Sequence, residues 1–240
     1  KELGKTEAWL AEQERGFLGD TAKIKRELLL DWPRSTERSV FNEDQLEKIW
    51  QFVREPVTSM KVNGYLIDFY ETPDVNVNYI MSCDVAGGLN RDNSTLTFVA
   101  PDDFRVVADF RNPKIDTDSF YNLIDSLMKI WFRNAILIIE RNNYGLNMLQ
   151  RFMKDRIIEP RMVREKRISP GTKTMTDGFV VKRKTDNIVY GVETTKKTRE
   201  EMFDLLLEIV EHDYDKIISK KLYDDIASLE TKKNGKIEHA

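Results

Sequence analysis

The spacing of apolar residues changes along the chain, and the change separates a helical first part from a part that mixes strands with helices. Up to about Met60 the apolar side chains recur at helical spacing. Asn42 followed by Gln45 resembles a capping box at the start of the last of these helices. The helices predicted here are Ala8–Phe17, Ala22–Leu30 and one that carries Leu46, Ile49, Trp50 and Val53.

From Tyr65 onward short apolar runs predict strands, and amphipathic stretches between them predict helices. The run Ala135–Glu140 is apolar almost throughout, which is typical of a central strand covered on both faces. The other predicted strands are Tyr65–Tyr70, Tyr79–Cys83, Thr95–Val99, Arg105–Asp109, Pro160–Val163 and a short one near Ile217. The predicted helices are Phe120–Trp131, Tyr144–Asp155, Arg199–Val210 and Lys220–Ala227.

This order of elements predicts an α/β fold. Three sequential strands can form a meander, and the strand, helix and strand that follow can form a β-α-β unit. Together they predict a mixed sheet with helices on its faces. We divide the chain into a helical lead-in, residues 1–60, and a sheet-containing domain, residues 61–240.

The composition leaves carboxylates as the main candidates for catalytic or metal-binding side chains. The 240 residues are 40% hydrophobic and 33% charged, as in an ordinary globular protein, and no apolar run approaches the roughly 18 residues of a membrane span. Cys83 is the only cysteine, and the only histidines are His212 and His239. A disulfide and a cysteine-based zinc site are therefore excluded, a histidine-based centre is disfavoured, and a reducing cytoplasm fits.

Two predicted core strands end in an acid. Asp84 follows the strand Tyr79–Cys83, and Glu140 ends the run Ala135–Glu140. If these strands are neighbours, both carboxylates emerge at the same edge of the sheet. Asp92 can fold back toward them, because Gly87 and Gly88 permit a tight turn.

Three converging carboxylates repel one another unless a cation lies between them. Mg²⁺ takes oxygen ligands, and two such ions about 4 Å apart can activate a water and stabilise the leaving oxygen of a phosphodiester. The alternative for each acid is structural: Asp84 as a cap, and Asp92 as part of an ordinary Asx turn. No GxGxxG and no Walker lysine is present, so a nucleotide-binding loop is unsupported.

A basic segment lies between Arg161 and Lys184, where eight basic residues face two acidic ones although the whole chain carries a net charge of −3. Such density suits contacts with DNA phosphates, which give affinity without reading bases. The alternative is a solvated hairpin. The residues predicted to contact DNA are Arg164, Lys166, Arg167, Lys173, Lys182, Arg183, Lys184, Lys196 and Lys197.

The stretch CDVAGGLNRDNSTLTF, followed by ILIIERNNYG and GVETTKKTREEM, resembles the nuclease domain of tailed-phage large terminase subunits. The resemblance begins near Tyr79 and implies an RNase H-like fold. In that family an Asp ends the first strand, a second Asp precedes a Ser or Thr in the next loop, and an acid ends the fourth strand. Asp84, Asp92 and Glu140 match those positions and are implied to be catalytic metal ligands.

The resemblance also implies a function. The domain is expected to be a divalent-metal-dependent endonuclease that cuts concatemeric double-stranded DNA during viral genome packaging, with Mg²⁺ or Mn²⁺, two ions in the complete site. Expected partners are a packaging ATPase domain of the same polypeptide, joined through residues 1–60, and the portal and small terminase subunit. No membrane is involved, and the host cytoplasm is the expected location. A last carboxylate ligand is expected beyond Ala240.

Two other functions remain open from the sequence. The same fold can serve a Holliday-junction resolvase or a transposase-like strand transferase, although the helical lead-in favours the terminase. A non-catalytic DNA-clamping module of a motor is the third possibility, and it predicts DNA binding without metal-dependent cleavage.

Overall fold

Residues 38–141, 144–167, 175–176, 179–180, 187–232 and 236–239 are described by the computed structural model. The predicted helices Ala8–Phe17 and Ala22–Leu30 lie outside this part of the chain. The strands are β1 (Thr58–Val62), β2 (Tyr65–Phe69), β3 (Ile80–Asp84), β4 (Ser94–Val99), β5 (Val106–Asn112), β6 (Ile136–Ile139), β7 (Arg164–Arg167), β8 (Met175–Thr176), β9 (Phe179–Val180), β10 (Asn187–Tyr190), β11 (Leu229–Thr231) and β12 (Ile237–His239). The α-helices are α1 (Glu43–Trp50), α2 (Thr117–Ile130), α3 (Tyr144–Phe152), α4 (Lys196–His212) and α5 (Lys220–Ala227).

A six-stranded mixed sheet of order β1-β2-β5-β4-β3-β6 forms the centre of the described structure. β3, β4 and β5 make an antiparallel meander, and β6 joins β3 in parallel after the crossover through α2. The β1–β2 hairpin extends the β5 edge. The predicted mixed sheet with an RNase H-like architecture is therefore confirmed.

The main core lies between one face of this sheet and the helices α2 and α3. Side chains at alternate strand positions, such as Phe98, pack there against the apolar stripe of α2 and against Phe132, and the rings of Phe98 and Phe132 stack at 4.0 Å. Asp116 begins α2 by accepting hydrogen bonds from the backbone N–H groups of Asp118 and Ser119.

A second apolar cluster brings α1 together with α4, α5 and β11. Leu46 and Ile49 of α1 pack there with Val210 and Tyr223, all of them buried. The capping box of α1 is present, with Asn42 and Gln45 hydrogen-bonded to each other's backbone at 2.9 and 3.0 Å. The described part of the predicted lead-in thus packs against the C-terminal helices.

Polar contacts join α5 to the second face of the sheet. Asp109 of β5 is only 5% exposed and accepts hydrogen bonds from Ser219, from Lys221 and, at 3.2 Å, from the Tyr70 hydroxyl. Lys221 also pairs with Asp68 on β2. Because each buried carboxylate oxygen has a donor, this charge can be accommodated between the sheet and α5.

The second face is covered unevenly. α5 reaches β2 and β5 through Lys221 and packs beside β4, whereas β3 and β6 keep exposed positions on this face. Ser82 of β3 is exposed, and the Ile136 side chain of β6 is 42% exposed. The described residues therefore leave the β3–β6 end of the sheet accessible.

No helix among the described residues is both long and apolar enough to cross a lipid bilayer.

Three elements differ from the sequence prediction. Where a strand is predicted at Pro160–Val163, a 3-10 turn and a single bridge from Met162 to Leu137 precede β7. The boundary predicted at residue 60 falls inside β1, whose hairpin with β2 is closed by Asn63 and Gly64, with φ of 50° and 90°, in the Asn-Gly turn typical of a tight hairpin. The strand predicted near Ile217 is wrong. A 3-10 turn, Tyr214–Lys216, lies there, and Ile217 is apolar because it is buried in the second cluster.

We predict that Asp109→Ala lowers the free energy of unfolding by about 3 kcal/mol, because it leaves buried donors of Ser219 and Tyr70 and the Lys221 ammonium without this acceptor. Urea titration measures the change. Asp102→Ala, in an exposed turn, is the control and should change stability by less than about 0.5 kcal/mol. Equal effects of the two substitutions would contradict a stabilising role for this network.

Candidate metal centre

The parallel pairing of β3 with β6 places Asp84 beside Glu140. The register ends at Cys83 opposite Ile139, and the backbone N–H of Glu140 donates to the Cys83 carbonyl at 3.1 Å. Asp84 and Glu140 are each the next residue, so they lie side by side at the carboxyl ends of adjacent strands. The prediction that these two strands are neighbours is confirmed.

Both acids also project to the same face of the sheet. In β3, Met81 and Cys83 are buried in the main core, so Ser82 and Asp84 point the other way. In β6, the side chain of Ile139 is buried in the same core, so the side chain of Glu140, at the next position, points to the opposite face of the sheet. The two carboxyl groups therefore stand on the face that α5 leaves accessible at β3 and β6.

The closeness of the two groups changes their acidity. The pKa of Asp84 is raised to about 6, first by loss of hydration and then by the charge of Glu140 and a side-chain hydrogen bond with it. A backbone hydrogen bond from Val85 opposes the rise, and the charge of Asp92 adds a smaller contribution to it. Asp84 keeps an exposed surface, yet enough protein surrounds its carboxyl group for dehydration to be the largest cause.

Asp92 lies in the exposed turn between β3 and β4, where its charge reaches Asp84. Ser94, which is fully buried, accepts a hydrogen bond at 3.0 Å from the backbone N–H of Ala86 and so ties this turn to the start of β4. Gly88 has φ of +69°, and a Cβ atom there would lie 2.7 Å from the Ile115 carbonyl oxygen. The predicted tight turn thus depends on this glycine.

The donor set fits a hard divalent cation. Mg²⁺ is commonly held by one or two carboxylates together with water and substrate oxygens. Dehydration and then the charge of Glu140 raise the pKa of Asp84, and a bound cation would offset the second of these causes directly. Within the described residues, no group of three His, Cys, Asp or Glu side chains is arranged to hold a metal ion. Asp84 and Glu140 are therefore a two-carboxylate site, with Asp92 acting on it through its charge.

The sequence prediction missed a glycine that shapes this site. Gly145, near the start of α3, lies so close to Glu140 that an added Cβ atom would come within 1.8 Å of the Glu140 carbonyl oxygen. α3 can return directly after β6 only because the position has no side chain. The sequence signal that could have revealed this close approach is the presence of a glycine inside a predicted amphipathic helix.

The predicted DNA-contacting residues fall into three groups. Arg164 is exposed on β7, and Lys196 and Lys197 are exposed in the first turn of α4, each within 4 Å of a Glu one helical turn later. Lys166 and Arg167 have backbone positions on β7. The remaining members, Lys173, Lys182, Arg183 and Lys184, lie outside the described residues.

Solved structures with a similar fold include a large terminase nuclease. The chain matches the large terminase nuclease from thermophilic phage G20c with bound magnesium, and the same nuclease with bound cobalt. Each match has 10% sequence identity, covers 85% of this chain and 88% of the other, and has a TM-score of 0.53. No protein-family model matches the chain, and no curated protein sequence does. The likeness predicted from the sequence is confirmed at the level of the fold.

We predict that the metal-free protein loses stability as the pH rises from about 4 to about 6. The folded-state pKa of Asp84 lies above its usual value, so the folded state binds this proton more tightly than the unfolded chain, and that advantage disappears as the proton is released. Asp84→Asn should flatten this part of the profile, as measured by urea titration in EDTA. Asp102→Asn, the control, should retain the wild-type slope, and an unchanged slope in Asp84→Asn would contradict the assignment.

We also predict that Gly145→Ala destabilises the protein by about 2 kcal/mol, because the new methyl group overlaps the Glu140 carbonyl. This sign is opposite to the usual gain from replacing glycine inside a helix. Thermal or urea unfolding measures it. Asn147→Ala, at an exposed position of the same helix, should be neutral or slightly stabilising. A stabilised Gly145→Ala variant would show that α3 does not approach Glu140 this closely.

Proposed function

We propose that this chain is the nuclease domain of a viral DNA-packaging terminase, a divalent-metal-dependent endonuclease that cuts concatemeric double-stranded DNA. The observation that carries the proposal is the side-by-side placement of Asp84 and Glu140 at an accessible sheet edge, where dehydration and then the charge of Glu140 raise the pKa of Asp84. The likeness in fold to a terminase nuclease that binds magnesium and cobalt supports the same reaction class.

In this proposal Asp84 and Glu140 are the metal ligands, and Asp92 is an additional ligand or acts on the site through its charge. Mg²⁺ or Mn²⁺, two ions in the complete site, supplies an activated water and stabilises the leaving oxygen. The carboxylates contribute negative charge on one face of the sheet and fix the position at which a phosphodiester is held. The parallel strands beneath them keep that geometry without a conformational change on binding.

The substrate contacts in the proposal are sequence-independent. Arg164, Lys196 and Lys197 extend from the described surface, and the other basic residues between Arg161 and Lys184 add to them. Lysine and arginine contacts with phosphates release counterions and give salt-dependent affinity for any duplex. Little preference for base sequence is therefore expected.

The cellular context follows from the same likeness in fold. We infer that the domain works beside a packaging ATPase of the same polypeptide, with the portal and the small terminase subunit, in the host cytoplasm. Double-stranded DNA and a divalent metal ion are enough to test the nuclease activity without these partners.

We predict that the protein nicks and linearises supercoiled plasmid with Mn²⁺ or Mg²⁺ but not in EDTA, and that Asp84→Asn and Glu140→Gln each reduce the rate by at least about 100-fold, since a metal ligand is lost. Gel analysis of plasmid forms measures the rate. Asp102→Asn, an exposed acid at the opposite end of β4, is the matched control and should cut normally.

Three outcomes would redirect the proposal. Cleavage by Asp84→Asn at the wild-type rate would contradict the assignment of Asp84 to the metal site. Preferential cutting of a four-way junction over linear duplex would favour a resolvase. Tight DNA binding without any cleavage in either metal would favour a non-catalytic clamp.

A further inference from the structure

The chain segment that follows β10 runs along the outer edge of β6, directly beside Glu140. The backbone N–H of Val192 donates to the Ile139 carbonyl at 2.9 Å, and the N–H of Arg141 donates to the Val192 carbonyl at 2.7 Å. Glu140 and Val192 thus form a parallel bridge. The candidate metal ligand is held by backbone pairing on both sides, with β3 on one and this segment on the other.

The two ends of the basic segment converge at this edge. Near its start, the N–H of Val163 donates to the Leu137 carbonyl at 2.9 Å, and after its end, the N–H of Gly191 donates to the Val163 carbonyl at 2.8 Å. β7 and β10 then pair with each other in antiparallel fashion and lead away from β6. The base of the segment is therefore attached to the same strand that carries Glu140.

One ion pair also joins the residue that follows Glu140 to this segment. The guanidinium Nη2 of Arg141 lies 2.8 Å from Oε2 of Glu193, and its Nη1 lies 3.5 Å from the Tyr190 carbonyl oxygen. The Arg141 side chain is only 9% exposed, whereas that of Glu193 is 39% exposed. A guanidinium this buried needs its partner, because an unpaired buried charge is strongly unfavourable. The pair therefore favours one position of residues 190–193 against β6.

We propose that Arg141 and Glu193 are positioning residues that hold the base of the basic segment, and the start of α4 with Lys196 and Lys197, at a fixed place beside Glu140. The inference rests on the proposed nuclease function. Its consequence is that the ion pair sets the distance between DNA-backbone contacts and the metal ligands. Without the pair, DNA binds as before, but its phosphates are presented to the carboxylates in poorer alignment.

Separate measurements of the cleavage rate and of DNA affinity test this role. Arg141→Gln should lower kcat on supercoiled plasmid by at least about tenfold, since small misplacements of a reacting group have effects of that size. The Kd for a fluorescent duplex in EDTA should stay within about twofold, because the basic residues remain. Amide hydrogen exchange of Arg141 and Val192, followed without metal, should become faster as their shared backbone pairing loosens.

Matched variants separate positioning from folding. Arg141→Lys keeps the charge and should retain most of the rate, and the exchange Arg141→Glu with Glu193→Arg should recover part of the loss of either single change. Glu193→Gln is a milder change at the exposed partner and covers the case in which Arg141→Gln does not fold. Glu71→Gln breaks a comparable ion pair with Arg105 at the far end of the sheet and should leave kcat unchanged.

The outcomes distinguish the inference from the function on which it rests. A normal kcat in Arg141→Gln and Glu193→Gln, from a wild-type protein that cuts DNA, overturns the positioning role alone. A loss of rate matched by an equal loss of DNA affinity also overturns it, because Arg141 would then act on binding. Absence of metal-dependent cleavage by the wild-type protein overturns the nuclease proposal itself.

Discussion

The parallel pairing of β3 with β6 is the constraint on which the candidate site depends. It brings two carboxylates together although they repel each other, and the charge of Glu140 adds to the larger effect of dehydration in raising the pKa of Asp84. The pairing resists this force because the register is set by the buried faces of both strands. A shift by one residue would turn Met81, Cys83 and Ile139 out of the main core and so expose several large apolar side chains. The apolar core thus holds the charged edge in place.

The sequence predicts the parts of this arrangement that depend on local pattern. Apolar runs that end in an acid identify Asp84 and Glu140, and the order of strands and helices predicts the mixed sheet, whereas the pairing of β3 with β6 is known only from the structure. The contribution of Gly145 is beyond local pattern, because it depends on how closely α3 returns to β6. The Arg141–Glu193 pair joins residues 52 positions apart, and no periodicity relates them. Ile217 shows the converse error, since a buried apolar residue in a turn has the same local signature as a strand.

The packing on the two faces explains why one end of the sheet is accessible. The main core lies against one face, whereas on the other face α5 reaches β2, β5 and β4, through Lys221 and through a small apolar cluster that contains Tyr70, Val106 and Ile218. α4 begins four residues after Val192, which forms the bridge with Glu140, and carries Val210 into the second cluster near its end. The same helix therefore follows the candidate site along the chain and helps to close the second core. On this face the described residues leave β3 and β6 partly exposed, so a surface for a large substrate remains there.

Asp109 and Asp84 show how partners separate a structural acid from a functional one. The register places Asp109 opposite Thr97 and Thr97 opposite Ser82, so both acids belong to the same face of one sheet. Asp109 is the more buried, yet Lys221, Ser219 and Tyr70 all donate to it, and its charge is compensated within the protein. Asp84 is the more exposed, yet its side-chain neighbour is another carboxyl group, and its pKa rises. A ranking by burial alone would select Asp109 rather than Asp84 as the functional acid. The acid that lies beside another carboxyl group is the one that a cation from solution can stabilise, and it is the one at the accessible end of the sheet.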